Sequence, residues 1–237
     1  MPTFKFTAYT DRGSRSINED TYFAGKNLFI VCDGVGGSAY GEVASRLACS
    51  AIPEYFNANP LNVFDVRYLA KVLQNVTDKF RETITKYPEL KTMSTTIAMI
   101  AFDGDGAIIA WLGDSRTYHI RKGKILYVTE DHSLINELRK QGKTEDSELK
   151  NVKQNIITHS LSIRNTDGFS THRISKDNIL PGDYFFLCSD GVLENINEQN
   201  LSEILNLNDS LEGKAKAIFK ICEGRTGDNF TFQLIEV

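Results

Sequence analysis

The stretch TTIAMIAF-DGDG-AIIAWL, residues 95–112, contains two apolar runs separated by a turn made of Asp and Gly. Apolar runs of this length, rich in β-branched residues, predict two strands, and the short turn predicts that they form an antiparallel hairpin. The arrangement is repeated at once, because RTYHIR (116–121) and ILYVT (125–129) flank a Lys-Gly turn. The whole stretch therefore predicts a β-meander, in which each strand pairs with the one before it.

The sequence before the meander predicts strands followed by a pair of helices. Apolar and polar residues alternate over Phe4–Ala8, which is typical of a half-buried strand. The segments Thr21–Ala24 and Leu28–Cys32 predict a second hairpin. A helix is expected from Ser38, and apolar residues three or four positions apart predict another over Val66–Ile84.

The sequence after the meander begins with a polar, largely helical segment over about residues 133–156. Since it has few large apolar side chains, we expect a flap that lies over a site. The strands predicted beyond it are Ile156–Thr158, Phe169–Ile174, Tyr184–Cys188 and Phe230–Val237, and the helices are Glu198–Leu205 and Leu211–Cys222. This order predicts an α+β fold with largely antiparallel sheets, in a single domain over residues 1–237.

Composition and charge narrow the function classes. The chain has 237 residues, of which 41% are hydrophobic and 24% charged, and this is typical of a folded globular protein. A net charge of −4 gives no basic surface for nucleic acid or an anionic membrane. We expect neither a transmembrane helix nor a signal peptide. The scattered cysteines Cys32, Cys49, Cys188 and Cys222 favour reduced thiols in a cytoplasmic protein.

Four aspartates, Asp20, Asp33, Asp190 and Asp228, each lie beside a turn-forming or amide residue, and three of them border apolar runs. An Asp at the point where a strand gives way to a turn directs its carboxylate away from the sheet edge. Two carboxylates ~4 Å apart repel each other by about 4 kcal/mol at an effective dielectric constant of about 20. A cluster of them therefore needs protons or hard divalent cations, and the pattern predicts a two-metal site. The alternative for any single Asp-Gly is turn chemistry alone.

Two other motif interpretations are disfavoured. The segment 28–39 fits the Gly-x-Gly-x-x-Gly/Ala dinucleotide fingerprint, but a helix over Val66–Ile84 stands where a second parallel strand ending in an acidic residue is needed. The run DGD at 103–105 begins like a calcium loop. Ala107 and Ile108, however, occupy its fifth ligand position and its obligatory Gly position.

An ordered set of seven motifs carries a resemblance to a known family. The motifs are Arg15-x-x-Asn18-Glu19-Asp20, Asp33-Gly34-x-Gly36-Gly37, Thr95-Thr96, Gly113-Asp114-Ser115-Arg116, Thr129-x-Asp131-His132-Ser133, Ser189-Asp190-Gly191 and Asp228-Asn229-x-Thr231. With this set the chain resembles the metal-dependent type 2C (PPM) protein serine/threonine phosphatases over about residues 6–236. Their bacterial single-domain branch is the most similar.

The resemblance implies a four-layer αββα sandwich with two central antiparallel sheets and a helical flap. It also implies two Mn²⁺ or Mg²⁺ ions in a cleft at one end, with Asp33 bridging them and Asp190 and Asp228 completing one. The Gly34 carbonyl, and Glu19 through water, serve the other ion.

Two more aspartates and an arginine receive implied roles in the reaction. Asp20 orients metal-bound waters, and Asp114 together with Asp190 matches the positions that hold a third ion. Arg15 presents its guanidinium to the phosphate, with a surface salt bridge as the alternative. Asp114 has the alternative of capping its turn, and Asp131 and His132 are expected to form a structural hydrogen-bonded pair.

The implied activity is hydrolysis of phosphoserine and phosphothreonine on proteins by a metal-activated water. Two hard cations make a hydroxide available near neutral pH and neutralise charge on the phosphoryl group. Oxygen-only ligands suit Mg²⁺ or Mn²⁺ rather than zinc. The expected partners are phosphorylated proteins and an opposing bacterial-type Ser/Thr kinase, and the protein is expected to act as a monomer in the cytoplasm.

The sequence departs from the family pattern at four positions. Val35 stands where eukaryotic members carry a general-acid His, and Ser94 where a Gly is usual. His159 and Ser162 replace the Arg and the Gly of the usual Ile-Thr-Arg-Ala-Leu-Gly run beside the flap. We expect altered flap docking and a contact of His159 with substrate. The alternative function is a phosphatase-like module that binds phosphoproteins without turnover.

Overall fold

Two five-stranded antiparallel sheets form the centre of the molecule in the computed structural model, which describes residues 4–35, 40–142, 156–164 and 168–237. The strands of the first sheet are β1 (Lys5–Asp11), β6 (Arg116–Arg121), β7 (Lys124–Val128), β9 (Asp183–Cys188) and β10 (Phe230–Glu236). Those of the second are β2 (Thr21–Ala24), β3 (Leu28–Cys32), β4 (Ile97–Asp103), β5 (Gly106–Leu112) and β8 (Ser170–Ser175). The strand orders are β1-β10-β9-β6-β7 and β2-β3-β4-β5-β8.

The helices of the described residues follow the polarity pattern of the sequence. They are α1 (Gly41–Ala58), α2 (Val66–Lys86), α3 (Leu134–Lys140), α4 (Asp190–Leu193), α5 (Glu198–Leu205) and α6 (Leu211–Cys222). Short 3₁₀ turns occupy Pro88–Thr92 and Lys176–Asn178. Side-chain caps fix several helix starts; Asp65, for example, accepts a hydrogen bond from the Tyr68 N–H at the start of α2. Among the described residues, no helix combines the length and apolarity needed to cross a membrane.

The layer order follows from the two-residue period of the strands. In β3, Leu28, Ile30 and Cys32 face a core shared with α1 and α2, whereas Phe29 and Val31 face the other sheet. A third core lies between β9, β10 and helices α5 and α6. The structure is thus a four-layer αββα sandwich, as the resemblance implied.

The meander and the hairpin of β2 and β3 are confirmed, and α5 and α6 have the predicted bounds. The predicted strand Ile156–Thr158 is wrong in extent, because Ile157 makes only an isolated bridge to Ser133. The first helix starts at Gly41, and Ser38 lies outside the described residues. In the predicted flap, α3 is present, while residues 143–155 lie outside the described residues.

The strand directions bring several chain ends to one end of the sandwich. Strands β3, β5 and β9 all finish there, and β10 begins there, because neighbouring strands run antiparallel. The residues that follow or precede these strands are Asp33, Asp114, Asp190 and Asp228. Sheet topology therefore gathers side chains that are up to about 200 positions apart in the sequence.

Candidate metal centre

The backbone of Asp33 is fixed by the two threonines that precede strand β4. The Asp33 N–H donates to Thr96 Oγ1 at 3.1 Å, and the Asp33 carbonyl accepts from the Thr96 N–H and from Thr95 Oγ1, both at 2.8 Å. Burial raises the pKa of the Asp33 carboxyl well above its ordinary range, and the charges of Asp20 and Asp190 raise it further. The Asp190 charge thus acts directly on Asp33, and two such carboxylates repel each other unless a cation or a proton neutralises one of them.

Asp20 lies beneath this pair and is held by a hydroxyl. Its side chain is 7% exposed, and Ser189 Oγ donates to Asp20 Oδ2 at 2.7 Å. Ser189 Oγ in turn accepts from the Thr231 N–H at 2.9 Å, so its proton is directed to the carboxylate. Burial raises the pKa of Asp20 to about 7 despite this hydrogen bond, and nearby Asp190 adds to the rise.

Asp114 follows β5 and points into the same acidic region. Burial raises its pKa to about 7, and the charges of Asp190 and Asp131 contribute. The neighbouring Ser115 Oγ lies 2.7 Å from Thr96 Oγ1, which also accepts from the Asp33 N–H. The turn that carries Asp114 is therefore joined to the backbone of Asp33 through two hydroxyls.

Asp228 is paired with Arg15. Arg15 Nε and Nη2 donate to Asp228 Oδ1 and Oδ2 at 3.1 and 2.8 Å, and the Arg15 side chain is 56% exposed. This is the salt bridge weighed as the alternative for Arg15, but its partner is itself a predicted metal ligand. The contact therefore places Arg15 at the edge of the acidic cluster, within reach of a group bound there.

Glu19 and Gly34 lie side by side on the opposite flank. The Gly34 N–H donates to the Glu19 carbonyl at 3.2 Å, and burial raises the pKa of the Glu19 side chain, with Glu42 adding to the effect. A Cβ at Gly34 would lie 2.5 Å from the Gly41 carbonyl carbon, so only glycine allows α1 to approach this closely. Gly41 in turn packs against the Glu19 carboxyl.

Asn229 organises the loop after β1, and its role was not found from the sequence. Its Oδ1 accepts from the Glu19 N–H at 2.8 Å, and its Nδ2 donates to the carbonyls of Arg12 and Ile17, both at 2.9 Å. The sequence offered one indication of this role. Asn229 follows Asp228 in a motif of the resemblance, and its side-chain amide can donate and accept hydrogen bonds at the same time. It holds the loop that presents Arg15 and Glu19.

His159 lies on the flap side of the site. Its Nδ1 is 3.0 Å from Thr158 Oγ1 and 3.6 Å from Glu137 Oε1 of α3, and its ring centroid is 4.7 Å from that of His132. These contacts join His159 to α3 and to His132. A change in flap docking and a contact with substrate both remain predictions.

Asp131 and His132 are both structural, but each has its own partners. Asp131 accepts two hydrogen bonds from Arg116, at 2.7 and 2.6 Å. His132 contacts the Gly113 N–H at 3.1 Å and Ser170 Oγ at 2.8 Å. The two neighbouring side chains therefore do not pair with each other as expected, and each holds a different part of the structure.

The donor set fits hard divalent cations. Asp20 Oδ1 and Asp114 Oδ1 are buried without a hydrogen-bond partner among the described residues, which is costly unless a cation or water satisfies them. All the candidate donors are oxygens, as Mg²⁺ and Mn²⁺ prefer. Within the described residues, no three acidic, His or Cys side chains already converge on one ion position. The ion pair with Arg15 neutralises one of the candidate ligands, Asp228.

Comparisons with known proteins identify the family of the chain. A family model described as "Protein phosphatase 2C" matches residues 10–223. The serine/threonine protein phosphatase PstP of Mycobacterium tuberculosis is 28% identical over 235 residues, which cover 98% of this chain and 45% of that protein. The serine/threonine phosphatase stp of Listeria monocytogenes is 30% identical over 241 residues, which cover 96% of this chain and 93% of that protein.

A solved structure extends the comparison to the fold. The catalytic domain of PstP in complex with two manganese ions has a TM-score of 0.82 and 26% sequence identity, and the match covers 99% of this chain and 98% of that one. This chain spans less than half the length of the mycobacterial protein it matches. Its similarity is to the catalytic portion.

Proposed function

Because this chain belongs to the protein phosphatase 2C family, we propose that it hydrolyses phosphoserine and phosphothreonine on proteins in a metal-dependent reaction. One observation carries the proposal. Four buried or half-buried aspartates from distant parts of the chain share one end of the sandwich, and the pKa of each is raised; they are Asp20, Asp33, Asp114 and Asp190. Such a cluster is unfavourable for folding unless cations neutralise it. Functional sites are where perturbed pKa values concentrate.

The candidate ligands divide by position. We assign Asp33 as the bridge between two Mn²⁺ or Mg²⁺ ions, with Asp190 and Asp228 on one and the Gly34 carbonyl, and Glu19 through water, on the other. Asp114 together with Asp190 suits a third ion. When bound, these ions activate water as a nucleophile and neutralise charge on the phosphoryl group. The two manganese ions in the PstP catalytic domain support this assignment.

The side chains around the ions have binding and orienting roles. Arg15 can exchange its Asp228 partner for the phosphate oxygens, because a half-exposed guanidinium is free to turn. Asp20, held by the Ser189 hydroxyl, is placed to accept a hydrogen bond from a water in the cluster. The carboxyls thus fix the ions and their water, and the arginine fixes the phosphate.

The biological setting is part of the same proposal. We propose phosphorylated proteins as substrates, an opposing bacterial-type Ser/Thr kinase as partner, and action as a cytoplasmic monomer with one catalytic domain over residues 1–237 and a flap over about 133–156. The names of the PstP and stp relatives, both serine/threonine phosphatases, support the substrate class.

The test is phosphate release from a phosphothreonine peptide by metal-stripped protein to which Mn²⁺ is returned. We expect Mn²⁺-dependent turnover in the wild type and its loss in Asp190→Ala. Asp177→Ala, a change on an exposed turn at the opposite end, is the matched control and should be fully active. Peptide binding without hydrolysis in a single-turnover experiment would instead identify the phosphoprotein-binding module.

A further inference from the structure

One residue, His132, holds both polar groups of Gly113, the residue before Asp114. The Gly113 N–H donates to His132 Nδ1 at 3.1 Å, and the His132 N–H donates to the Gly113 carbonyl at 2.9 Å. Gly113 has a φ of 102°, and a Cβ there would lie 2.6 Å from Thr96 Cγ2. The chain therefore makes a sharp turn that only glycine permits, and His132 fixes its direction.

The imidazole of His132 is itself held on two sides. Its Nε2 lies 2.8 Å from Ser170 Oγ, and its ring lies parallel to that of Trp111 at 6.0 Å between centroids. Because a backbone N–H can only donate, Nδ1 must accept, and the proton of the neutral ring is on Nε2. Ser170 Oγ then accepts a hydrogen bond from the Nε2–H, so the ring orientation and the tautomer are both determined.

The same residue contacts the segment beneath the flap. The Thr158 N–H donates to the His132 carbonyl at 2.9 Å, and the His159 ring lies against the His132 ring. His159 is also 3.6 Å from Glu137 of α3. His132 is therefore also held through its own carbonyl and by the His159 ring.

Asp114 depends on that turn for its direction. Its Oδ1 is buried and has no hydrogen-bond partner among the described residues. The carboxyl is therefore aimed largely by the backbone on which it stands. Residues that orient a ligand without touching the ion commonly change metal affinity when replaced.

We propose that His132 is a positioning residue, which aims Asp114 at the third divalent ion of the site. The proposal rests on the proposed function only in requiring a divalent ion at Asp114. The clamp on Gly113 is a property of the metal-free chain.

Two amide substitutions separate the contacts of the imidazole. Asn at 132 places an acceptor near the Nδ1 position and can keep the Gly113 contact, whereas Gln places its amide near the Nε2 position and keeps only the Ser170 contact. We expect His132→Gln to weaken the weakest of the Mn²⁺ binding steps by about 10-fold or more in calorimetry, and His132→Asn to stay close to wild type. Asp177→Ala, on the exposed turn at the opposite end of the sandwich, is the control and should bind Mn²⁺ like the wild type.

Amide hydrogen exchange in metal-free protein gives a readout that needs neither ion nor turnover. We expect the Gly113 amide to be protected in the wild type and in His132→Asn, and to exchange at least about 10-fold faster in His132→Gln, because its hydrogen bond is gone. An unprotected Gly113 amide in the wild type would overturn the proposal even if a variant failed to fold. Equal Mn²⁺ affinities in the Asn and Gln variants would also overturn it. Wild-type protein that binds Mn²⁺ but releases no phosphate would contradict the proposed function alone.

Discussion

The two ends of the sandwich both contain buried aspartates, but they neutralise them differently. At what we call the arginine end, Asp103 accepts two hydrogen bonds from Arg173 at 2.6 Å, and Asp183 accepts from Arg121 at 2.6 and 2.8 Å. At the acidic end, the cluster of Asp20, Asp33, Asp114 and Asp190, no ion pair to a described Arg or Lys is formed, and Arg15 meets only the neighbouring Asp228.

The pKa values of the aspartates are shifted in opposite directions at the two ends. Burial alone would raise the pKa of Asp103, but the hydrogen bonds from Arg173 and from backbone N–H groups outweigh it and hold the value low. Burial raises the pKa of Asp33 in the same way, and its neighbours are further carboxyls, which raise it more. The comparison shows that burial does not decide the function of a carboxylate. Its partner does, and at the acidic end the partner has to come from outside the chain.

A nearby cavity shows the same distinction. It has a volume of about 590 Å³ and lies at the arginine end, lined by Phe102, Asp103, Lys176 and Leu180 among others. Its one buried carboxylate is already satisfied by Arg173. A cavity whose buried carboxylate is already paired offers no ligand for a metal ion, so we do not place the reaction there.

The largest expected effect is on Asp33. We expect Asp33→Asn to reduce phosphopeptide hydrolysis by at least about 1,000-fold, because several kcal/mol of transition-state stabilisation depend on the bound ions. The same substitution removes a carboxyl that burial and its acidic neighbours make unfavourable to ionise, so the metal-free protein should melt at the same temperature or higher. Steady-state kinetics and thermal melting in EDTA measure the two effects. If Asp33→Asn were active and needed the same Mn²⁺ concentration as the wild type, the acidic end would not depend on Asp33 to hold the ions, and the contrast between the two ends would be lost.

Asp103 should respond in the opposite way. Asp103→Asn leaves Arg173 without its buried partner, and we expect a loss of about 3 kcal/mol in the free energy of unfolding. Turnover by the folded fraction should stay within about threefold, since the site is at the other end of the sheets. Urea unfolding and kinetics at low temperature give the two values. Equal loss of stability and of metal-dependent turnover would show that the two ends are not independent.

Much of the fold was predictable from local sequence patterns, and the reason is physical. The meander, α5 and α6 have strong periodicity and clear turns, so their bounds agree with the structure to within about two residues. The acidic cluster was also predictable in outline, because Asp33 and Asp190 each follow an apolar strand. Helix α4 was missed, as it has only four residues and no period of its own.

Contacts between distant segments could not be predicted. The partners Arg15 and Asp228 are 213 positions apart. No local sequence pattern indicates whether an arginine will bind a phosphate or a carboxylate. The clamp of Asn229 on the loop after β1 and that of His132 on Gly113 depend on three-dimensional approach in the same way.

A smaller effect is expected for Arg15 at the edge of the acidic end. Arg15→Ala should lower phosphopeptide turnover by about 10- to 100-fold, because a charge-assisted contact to the phosphate is lost. Arg15→Lys keeps the positive charge but loses the two parallel N–H donors of the guanidinium, so its turnover should lie between those of the wild type and Arg15→Ala. Mn²⁺ binding measured by calorimetry should change little. If Arg15→Ala lost metal affinity instead, its role would lie in placing Asp228.

The smallest effect concerns pH. The pKa values of Asp20 and Asp114 rise from about 3.8 to about 7 on folding, so the folded metal-free protein holds more protons than the unfolded chain between these values. Their stabilisation is present at low pH and is lost as pH rises toward about 7. We expect the melting temperature in EDTA to fall by a few degrees between pH 5 and pH 8, relative to the Mn²⁺-loaded protein. The lowered pKa values of the Asp103 and Asp183 carboxyls affect stability only in more acidic solution. A metal-free melting temperature that rises over this interval would contradict the assignment of raised pKa values.

The most direct test of the central claim is calorimetric titration of Mn²⁺ into metal-stripped wild-type protein and Asp33→Asn. The account predicts binding of at least two ions to the wild type, with release of protons from the carboxyl cluster, and loss of the tighter binding in Asp33→Asn. Absence of Mn²⁺ binding by the wild type, or binding that is unchanged in Asp33→Asn, would contradict it.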